Sequence, residues 1–257
     1  YFTGLEPITV NGDSTGGRFT LLGDNEANQI DITNAATGHT TFTTSSPVTT
    51  QNNGVGNYEI VDVAANAFAN IDVFGMGGAD SIDLIALDEA QNSAMIELNG
   101  DDTLDGDTSN DTIRVRSYPA GNMSSLFGGA GDDTFNIFDA NTTVDNILGP
   151  MIINGETGTD TVIVNDSLST TSASPGANGA GGENVTVNIA GGIPAIEGIF
   201  GQGSAVQSVM TDIRLLDPVV MTQGSIETLT VSTSADNDDI NIDRPAMLSN
   251  LNDIPGI

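Results

Sequence analysis

Apolar and polar residues alternate with a two-residue period along most of the chain, which is the pattern of half-buried β-strands. Clear examples are SIDL at residues 81 to 84, TIRV at 112 to 115 and TFNI at 134 to 137. Helical periodicity is confined to ALDEAQNSAM, residues 86 to 95, which would form a turn or two. The pattern therefore predicts an all-β fold.

A glycine-rich turn leads into several of these strands, most clearly in LFGGAGDDTFNIF at residues 126 to 138. The shared pattern is glycine, four residues, Asp or Asn, one residue, apolar, one residue, apolar. In the copy at Asp111 the pattern uses Gly106, and in the last copy Thr233 replaces the glycine. Six copies are visible, with anchors at Asn28, Asp80, Asp111, Asp133, Asp160 and Asp238.

The spacing of the anchors indicates a repeat architecture. Successive anchors are 52, 31, 22, 27 and 78 residues apart, and the two wide gaps are close to two and three times 26. Weaker matches at Asn57, Asn184 and Asp212 fall inside those gaps. A period of 20 to 50 residues is typical of a solenoid, in which each unit buries its apolar face against the next. We expect coils of about 26 residues.

Two stretches interrupt the alternation. The Thr-rich tract of residues 34 to 57 is either an excursion from the coil or an exposed strand pair. Residues 167 to 184, SLSTTSASPGANGAGGEN, have too little apolar surface to offset their ordering entropy and are interpreted as a loop or a linker. We expect one domain over residues 1–257, as a segment or processed product of a larger surface protein.

The charge balance excludes one class of partner. The chain has 35 acidic residues, five arginines and no lysine, for a formal charge of −30. Such a chain has almost nothing with which to neutralise phosphate, so nucleic-acid binding is excluded. It has no cysteine, which rules out disulfides and thiolate metal sites. No stretch has the length and hydrophobicity of a transmembrane segment.

Carboxylates beside glycine carbonyls form an all-oxygen environment suited to Ca²⁺. In a parallel solenoid, equivalent turns stack roughly 4.8 Å apart, so a cation between neighbouring aspartates would turn repulsion into attraction. The same residues could instead cap turns by accepting backbone hydrogen bonds. The predicted calcium ligands are Asp132, Asp133 and Asp160, then Asp80, Asp111, Asp101, Asp102, Asp105, Asp107 and Asp238.

GGAGDDTFNI, residues 128 to 137, resembles the glycine- and aspartate-rich repeat of the RTX, or haemolysin-type calcium-binding, proteins of bacteria. Gly128, Gly129, Gly131 and Asp133 match the motif GGxGxD, and the turns before Asp80 and Asp160 match in part. The resemblance implies a parallel β-roll that holds calcium between turns. Here each motif occurs once in about 22 to 31 residues, which favours a larger right-handed parallel β-helix.

These features together predict an extracellular, calcium-stabilised structural, assembly or adhesion module of a prokaryotic surface protein, such as a filament, surface-layer or matrix component. Its partners would be further copies of itself, other surface proteins or polysaccharide. The alternatives are a carbohydrate-binding or carbohydrate-active β-helix and a calcium-binding β-sandwich. We do not expect an enzyme, because carboxylates are plentiful but cationic partners for an acidic sugar or an oxyanion are few.

Overall fold

The structure is a computed structural model of the chain. It describes residues 8–10, 17–23, 26–36, 39–45, 58–64, 68–87, 95–101, 107–119, 124–144, 146–147, 151–168, 184–190, 193–197, 213–215, 228–233 and 239–243. The following description concerns these residues.

The described residues form two sheets of nine strands each and no helix, which confirms the predicted all-β class. The first sheet contains β1 (Ile8–Val10), β3 (Gln29–Ala36), β4 (His39–Ser45), β5 (Tyr58–Ala64), β7 (Ser81–Leu84), β9 (Thr112–Val115), β11 (Thr134–Ile137), β13 (Thr161–Asn165) and β17 (Thr228–Ser232). The second contains β2 (Arg18–Leu22), β6 (Asn70–Met76), β8 (Met95–Asp101), β10 (Ser124–Ala130), β12 (Met151–Thr157), β14 (Asn184–Ala190), β15 (Ile193–Glu197), β16 (Ile213–Leu215) and β18 (Asp239–Asp243).

From β6 to β13 the chain alternates strictly between the sheets, and each strand pairs in parallel with the strand two positions later. We call a second-sheet strand and the first-sheet strand in the same position along the stack a row. There are six rows, namely β2 with β3, β6 with β7, β8 with β9, β10 with β11, β12 with β13 and β16 with β17. The mostly parallel pairing departs from the antiparallel pairing of the sandwich alternative.

The interior is filled by columns of apolar side chains that run across the rows. On the first sheet, one column places Ile82, Ile113, Phe135 and Val162 in register, and all four are buried. The second sheet contributes side chains such as Ile71, Leu98 and Ile153 to the same core. Each row thus buries its apolar face against the next.

The gap of 52 residues between Asn28 and Asp80 does not contain an additional row. Strands β3 and β7 pair directly, so no row lies between them, and Asn57, the weaker match in this gap, lies outside the described residues. The intervening residues instead contribute β4 and β5, which pair antiparallel and extend the first sheet beyond β3. The Thr-rich tract therefore includes a strand, and Phe42 on it is fully buried.

The gap after Asp160 is also an insertion. Strand β13 pairs directly with β17, so no row lies between them at Asn184 or Asp212. Asn184 begins β14, which pairs antiparallel with β15 and parallel with β18. Asp212 and residues 169–183 lie outside the described residues, as do residues 88–94 of the expected helical turn. Met95, at the end of that turn, begins β8 instead.

Candidate functional site

Five of the predicted anchors lie one above another in adjacent rows. Each immediately precedes a first-sheet strand. The backbone hydrogen bonds between neighbouring strands begin at these residues, because the first residue of a strand donates its amide to the carbonyl of the anchor in the preceding row. For example, Thr134 N–H donates to the carbonyl of Asp111 at 2.9 Å. We call this column the inner ladder. Its members are Asn28, Asp80, Asp111, Asp133 and Asp160.

Each aspartate of the inner ladder accepts a hydrogen bond from the backbone of the preceding row. Oδ1 of Asp80 accepts from the amide of Asn28 at 2.6 Å, and Oδ1 of Asp111 accepts from the amide of Asp80 at 2.7 Å. The same bond joins Asp133 to the Asp111 amide and Asp160 to the Asp133 amide, both at 2.8 Å. The side-chain carboxyl groups therefore link neighbouring rows at the residue just before each strand, in addition to the backbone hydrogen bonds.

The glycines of the turns make room for these carboxyl groups. A Cβ on Gly75, Gly100 or Gly128 would lie 2.2 to 2.3 Å from the Oδ2 atom of the ladder aspartate in the same row. The positive backbone angle falls one residue later, at Met76 with φ 80° and at Gly129 with φ 105°. Gly75, Gly100 and Gly128 thus supply space, whereas Gly129 and Gly131 supply the positive φ. In the Asp111 row that glycine is Gly100 and not the predicted Gly106.

Asn28 differs from the aspartates of the inner ladder because its side chain ends in a hydrogen-bond donor, Nδ2. Its Nδ2 donates to Glu26 O at 2.6 Å and, at 3.5 Å, to Gly75 O in the next row. In the Asp111 row, Oδ2 and the Gly128 carbonyl oxygen lie 2.3 and 2.5 Å from the point that a Cβ on Gly100 would occupy. Both oxygens thus approach the same point beside Gly100, whereas in the row of Asn28 the side-chain nitrogen donates to the corresponding carbonyl oxygen.

The protonation of the inner ladder fits this arrangement. Asp111 and Asp133 are each 2% exposed, and their Oδ2 atoms have no hydrogen-bond partner among the described residues. Burial, together with the nearby carboxylates of Asp133, Asp80 and Asp101, raises the pKa of Asp111 to about 8 against the opposing hydrogen bond from Asp80 N–H. Burial, with Asp160, Asp101 and Asp132 nearby, likewise raises the pKa of Asp133 to about 7. The raised pKa of Asp111 favours its protonated form at neutral pH.

Asp132 belongs to a second, exposed set of contacts beside the inner ladder. Its amide donates to Asn110 Oδ1 at 2.8 Å, and its own Oδ1 accepts from the Thr159 amide at 2.9 Å. The turns approach closely here, since a Cβ on Gly158 would lie 1.7 Å from the carbonyl oxygen of Gly131. Asp132 and Asp133 are thus adjacent in sequence but serve different contacts.

The predicted cluster at residues 101–107 is only partly described. Asp101 is buried, and its Oδ2 accepts from the Ala130 amide at 2.9 Å. Asp107 accepts hydrogen bonds from the Gly78 amide and from the Ser109 hydroxyl. The hydrogen bond from Gly78 N–H lowers the pKa of Asp107. The remaining predicted ligands Asp102, Asp105 and Asp238 lie outside the described residues.

The inner ladder does not fit a calcium ion. Ca²⁺ takes six to eight oxygen ligands, whereas each ladder Oδ1 is already engaged by an N–H, and the Oδ2 atoms pack against glycine Cα atoms in the interior. Among the described residues, no group of three or more histidine, aspartate or glutamate side chains is placed to hold a metal ion. Calcium binding by Asp132 and by the 101–107 turn stays a prediction.

Two arginine–aspartate pairs join neighbouring rows. Arg116 Nε donates to Asp83 Oδ1 at 2.8 Å, and this hydrogen bond raises the pKa of Arg116. Arg18 pairs with the buried Asp72 at 2.9 Å. These two arginines are therefore engaged by aspartates of adjacent strands.

Comparison with known proteins does not assign the chain to a family. No protein-family model, curated protein or solved structure matches the chain. The resemblance to the RTX repeat therefore stays a prediction drawn from the motif. Where the structure describes the chain, it contains no helix with the length and apolar character needed to cross a membrane.

Sequence reasoning missed three elements of the site. It identified all five anchors, Asn28 among them, but it did not recognise Asn28 as the neutral member of the inner ladder. It also missed Gly100, because ten residues separate this glycine from Asp111 instead of four. Finally, it missed the buried Asp83 as a partner of Arg116. Asp83 could have been found from the spacing, since parallel pairing places it directly opposite Arg114, two residues from Arg116.

Proposed function

We propose that the chain is a structural and assembly module of an extracellular prokaryotic surface protein, built as a right-handed parallel β-solenoid. The observation that carries the proposal is the inner ladder, which repeats one side-chain-to-backbone contact from row to row. Repeated contacts of this kind stabilise a long body through nearest-neighbour interactions alone. Such a body suits a spacer or scaffold.

In this proposal each row is one coil. Three intervals along the inner ladder, 31, 22 and 27 residues, agree with the expected coil of about 26 residues. The interval of 52 residues is one coil with an inserted hairpin. Right-handed winding is expected because crossovers between parallel strands are right-handed in nearly every case.

The composition supports a location outside the cell. A chain with a formal charge of −30 and no cysteine relies on neither disulfides nor basic surfaces for its contacts. The rows are joined by hydrogen bonds and buried side chains, which persist in an oxidising environment. Antibodies raised against the chain should label intact cells of the organism that produces it. Labelling that appears only after lysis would contradict the proposed location.

Calcium is part of the proposal at the turns and not at the inner ladder. If Ca²⁺ binds the turn of residues 101–107 or Asp132, saturating calcium should raise the melting temperature relative to a chelator. At a free calcium concentration 100 times the dissociation constant, the expected stabilisation of the folded state is about 2.7 kcal/mol per independent site. Asp132→Asn with Asp107→Asn should remove this increment. Identical melting of the native chain in both conditions would remove calcium from the proposed function.

A further inference from the structure

The two sheets are offset at their ends by equal amounts. The first sheet extends three strands beyond the first row through β4, β5 and β1, where the second sheet stops at β2. The second sheet extends three strands beyond the last row through β15, β14 and β18, where the first sheet stops at β17. Both sheets contain nine strands. A second copy moved along the stack by nine strands would therefore continue both sheets at once.

The directions of the four edge strands agree with this arrangement. Strand β1 is parallel to β5, and two antiparallel pairings separate β5 from β3, so β1 runs in the same direction as β3 and β17. At the other end, β18 is parallel to β14, and two antiparallel pairings separate β14 from β16. Strand β18 therefore runs in the same direction as β2. Both junctions would be parallel, like the pairings inside the stack.

The charges of the edge strands also permit both contacts. Although the chain has 35 acidic residues, β1, β2 and β17 contain none. Strand β18, DINID, contains two aspartates, and it would meet β2, which contains Arg18, one of the five basic residues. The junction of β17 with β1 would join TLTVS to ITV, without charge. Like charges therefore meet at neither junction.

From this match of offset, direction and charge, we infer that copies of the chain assemble head to tail. Strand β17 of one copy would pair with β1 of the next, and β18 would pair with β2. Among the described residues, no strand pairs with the outer edge of any of these four strands. The contact is heterologous, so it generates an open filament and not a closed dimer. The inference rests on the proposed assembly function and specifies its partner as a second copy.

Leu22 provides a test at the β2 edge. The Gly23 amide donates to Phe74 O at 2.8 Å, toward the interior of the sheet. Amides of successive residues in a strand point to opposite sides, so the Leu22 amide points to the outer edge. The Leu22 side chain is 58% exposed. Proline at this position removes an edge donor without breaking an internal pairing, which edge strands tolerate.

The experiment compares the native chain with Leu22→Pro and Leu22→Thr by sedimentation and negative-stain microscopy over a range of concentrations. The native chain and Leu22→Thr should grow into filaments without stopping at a dimer. Leu22→Pro should weaken association by roughly fivefold, since the one lost hydrogen bond contributes about 1 kcal/mol and 1.4 kcal/mol is tenfold. Circular dichroism checks that each variant is folded.

Leu22→Glu is a second variant that keeps the amide. It adds a negative charge to the strand that would pair with β18, which contains two aspartates, so its association should be weaker than that of Leu22→Thr at low salt and recover at high salt. A native chain that is monomeric at all concentrations, a closed dimer, or assembly that neither variant weakens would overturn the inference. The proposed surface function would survive those results, because cell labelling tests it separately.

Discussion

Asp111 concentrates the chemistry of the inner ladder in one residue. Its Oδ1 accepts a backbone N–H of the preceding row, and its buried Oδ2 lies beside a carbonyl oxygen of the next. A carboxylate at this position would leave a negative charge near that carbonyl oxygen in the interior. A carboxylic acid or an amide satisfies both sides. The residue therefore links two rows best when it is uncharged.

The first prediction concerns pH. The pKa is about 8 for Asp111 and about 7 for Asp133 in the folded chain, both above the ordinary value, so the folded state binds more protons than the unfolded state. Stability from these groups is fully present below about pH 4 and is lost as the pH rises through 7 and 8. The melting temperature, measured by calorimetry, should therefore fall between pH 5 and pH 9.

Asp111→Asn should reduce this fall. The amide keeps the acceptor for the Asp80 N–H and adds a donor toward Gly128 O, as Asn28 does toward Gly75 O. One additional hydrogen bond is worth about 1 kcal/mol, or about 2–4 °C in a chain of this size, so the variant should melt higher than the native chain at pH 9. Asp132→Asn, at an exposed position, is the control. A variant that melts lower at pH 9 would contradict the uncharged ladder.

Gly128 tests the packing of the ladder at the same scale. A Cβ there would lie 2.2 Å from Asp133 Oδ2, so Gly128→Ala should destabilise the fold by about 1–3 kcal/mol in a urea titration. The same substitution should cost less in an Asp133→Ala background, because the three atoms nearest to the added Cβ belong to Asp133. Additive losses in the double variant would show that the two residues do not compete for the same space.

At the scale of single elements, a short strand is stabilised by its place in the apolar columns. Strand β11 has four residues, with Phe135 and Ile137 fully buried and in register with β9 and β13. Phe135→Ala should cost about 3–5 kcal/mol in denaturant unfolding because it empties the middle of a column. Thr134→Ala, on the partly exposed side of the strand, should change stability by about 0.5 kcal/mol or less. Equal losses in the two variants would refute this column.

Individual strands could be predicted from the sequence because the alternation of polar and apolar residues within a strand is a local pattern. The pattern Asp, polar, apolar, polar, apolar places Asp133, Phe135 and Ile137 correctly, because side chains of a strand alternate between faces. An exposed strand pair was one interpretation of the tract that contains β4, but the antiparallel pairing of β4 and β15 within the sheets was not predicted, since nothing local distinguishes an inserted strand from a row. The wide gaps were therefore interpreted as multiples of the period, whereas β3 pairs directly with β7 and β13 with β17.

At the scale of the whole molecule, two sheets share a core and the inner ladder binds the rows along the stack. The stacking of the anchors could be inferred from the repeated motif. Their hydrogen bonds could not, because the motif is equally compatible with aspartates that bind a cation and aspartates that accept an amide from the next row. The hydrogen bonds depend on which rows are neighbours, and the motif alone does not give that order.

Amide hydrogen exchange tests the ladder most directly. In the native chain the amides of Asp80, Asp111 and Asp133 should exchange as slowly as core strand amides, although each lies before its strand. Asp111→Ala should speed exchange at Asp80, whose amide loses its acceptor, more than at Thr159, whose acceptor is Asp132. Native ladder amides that exchange as fast as exposed turns, or an Asp80 amide unaffected by Asp111→Ala, would contradict the account.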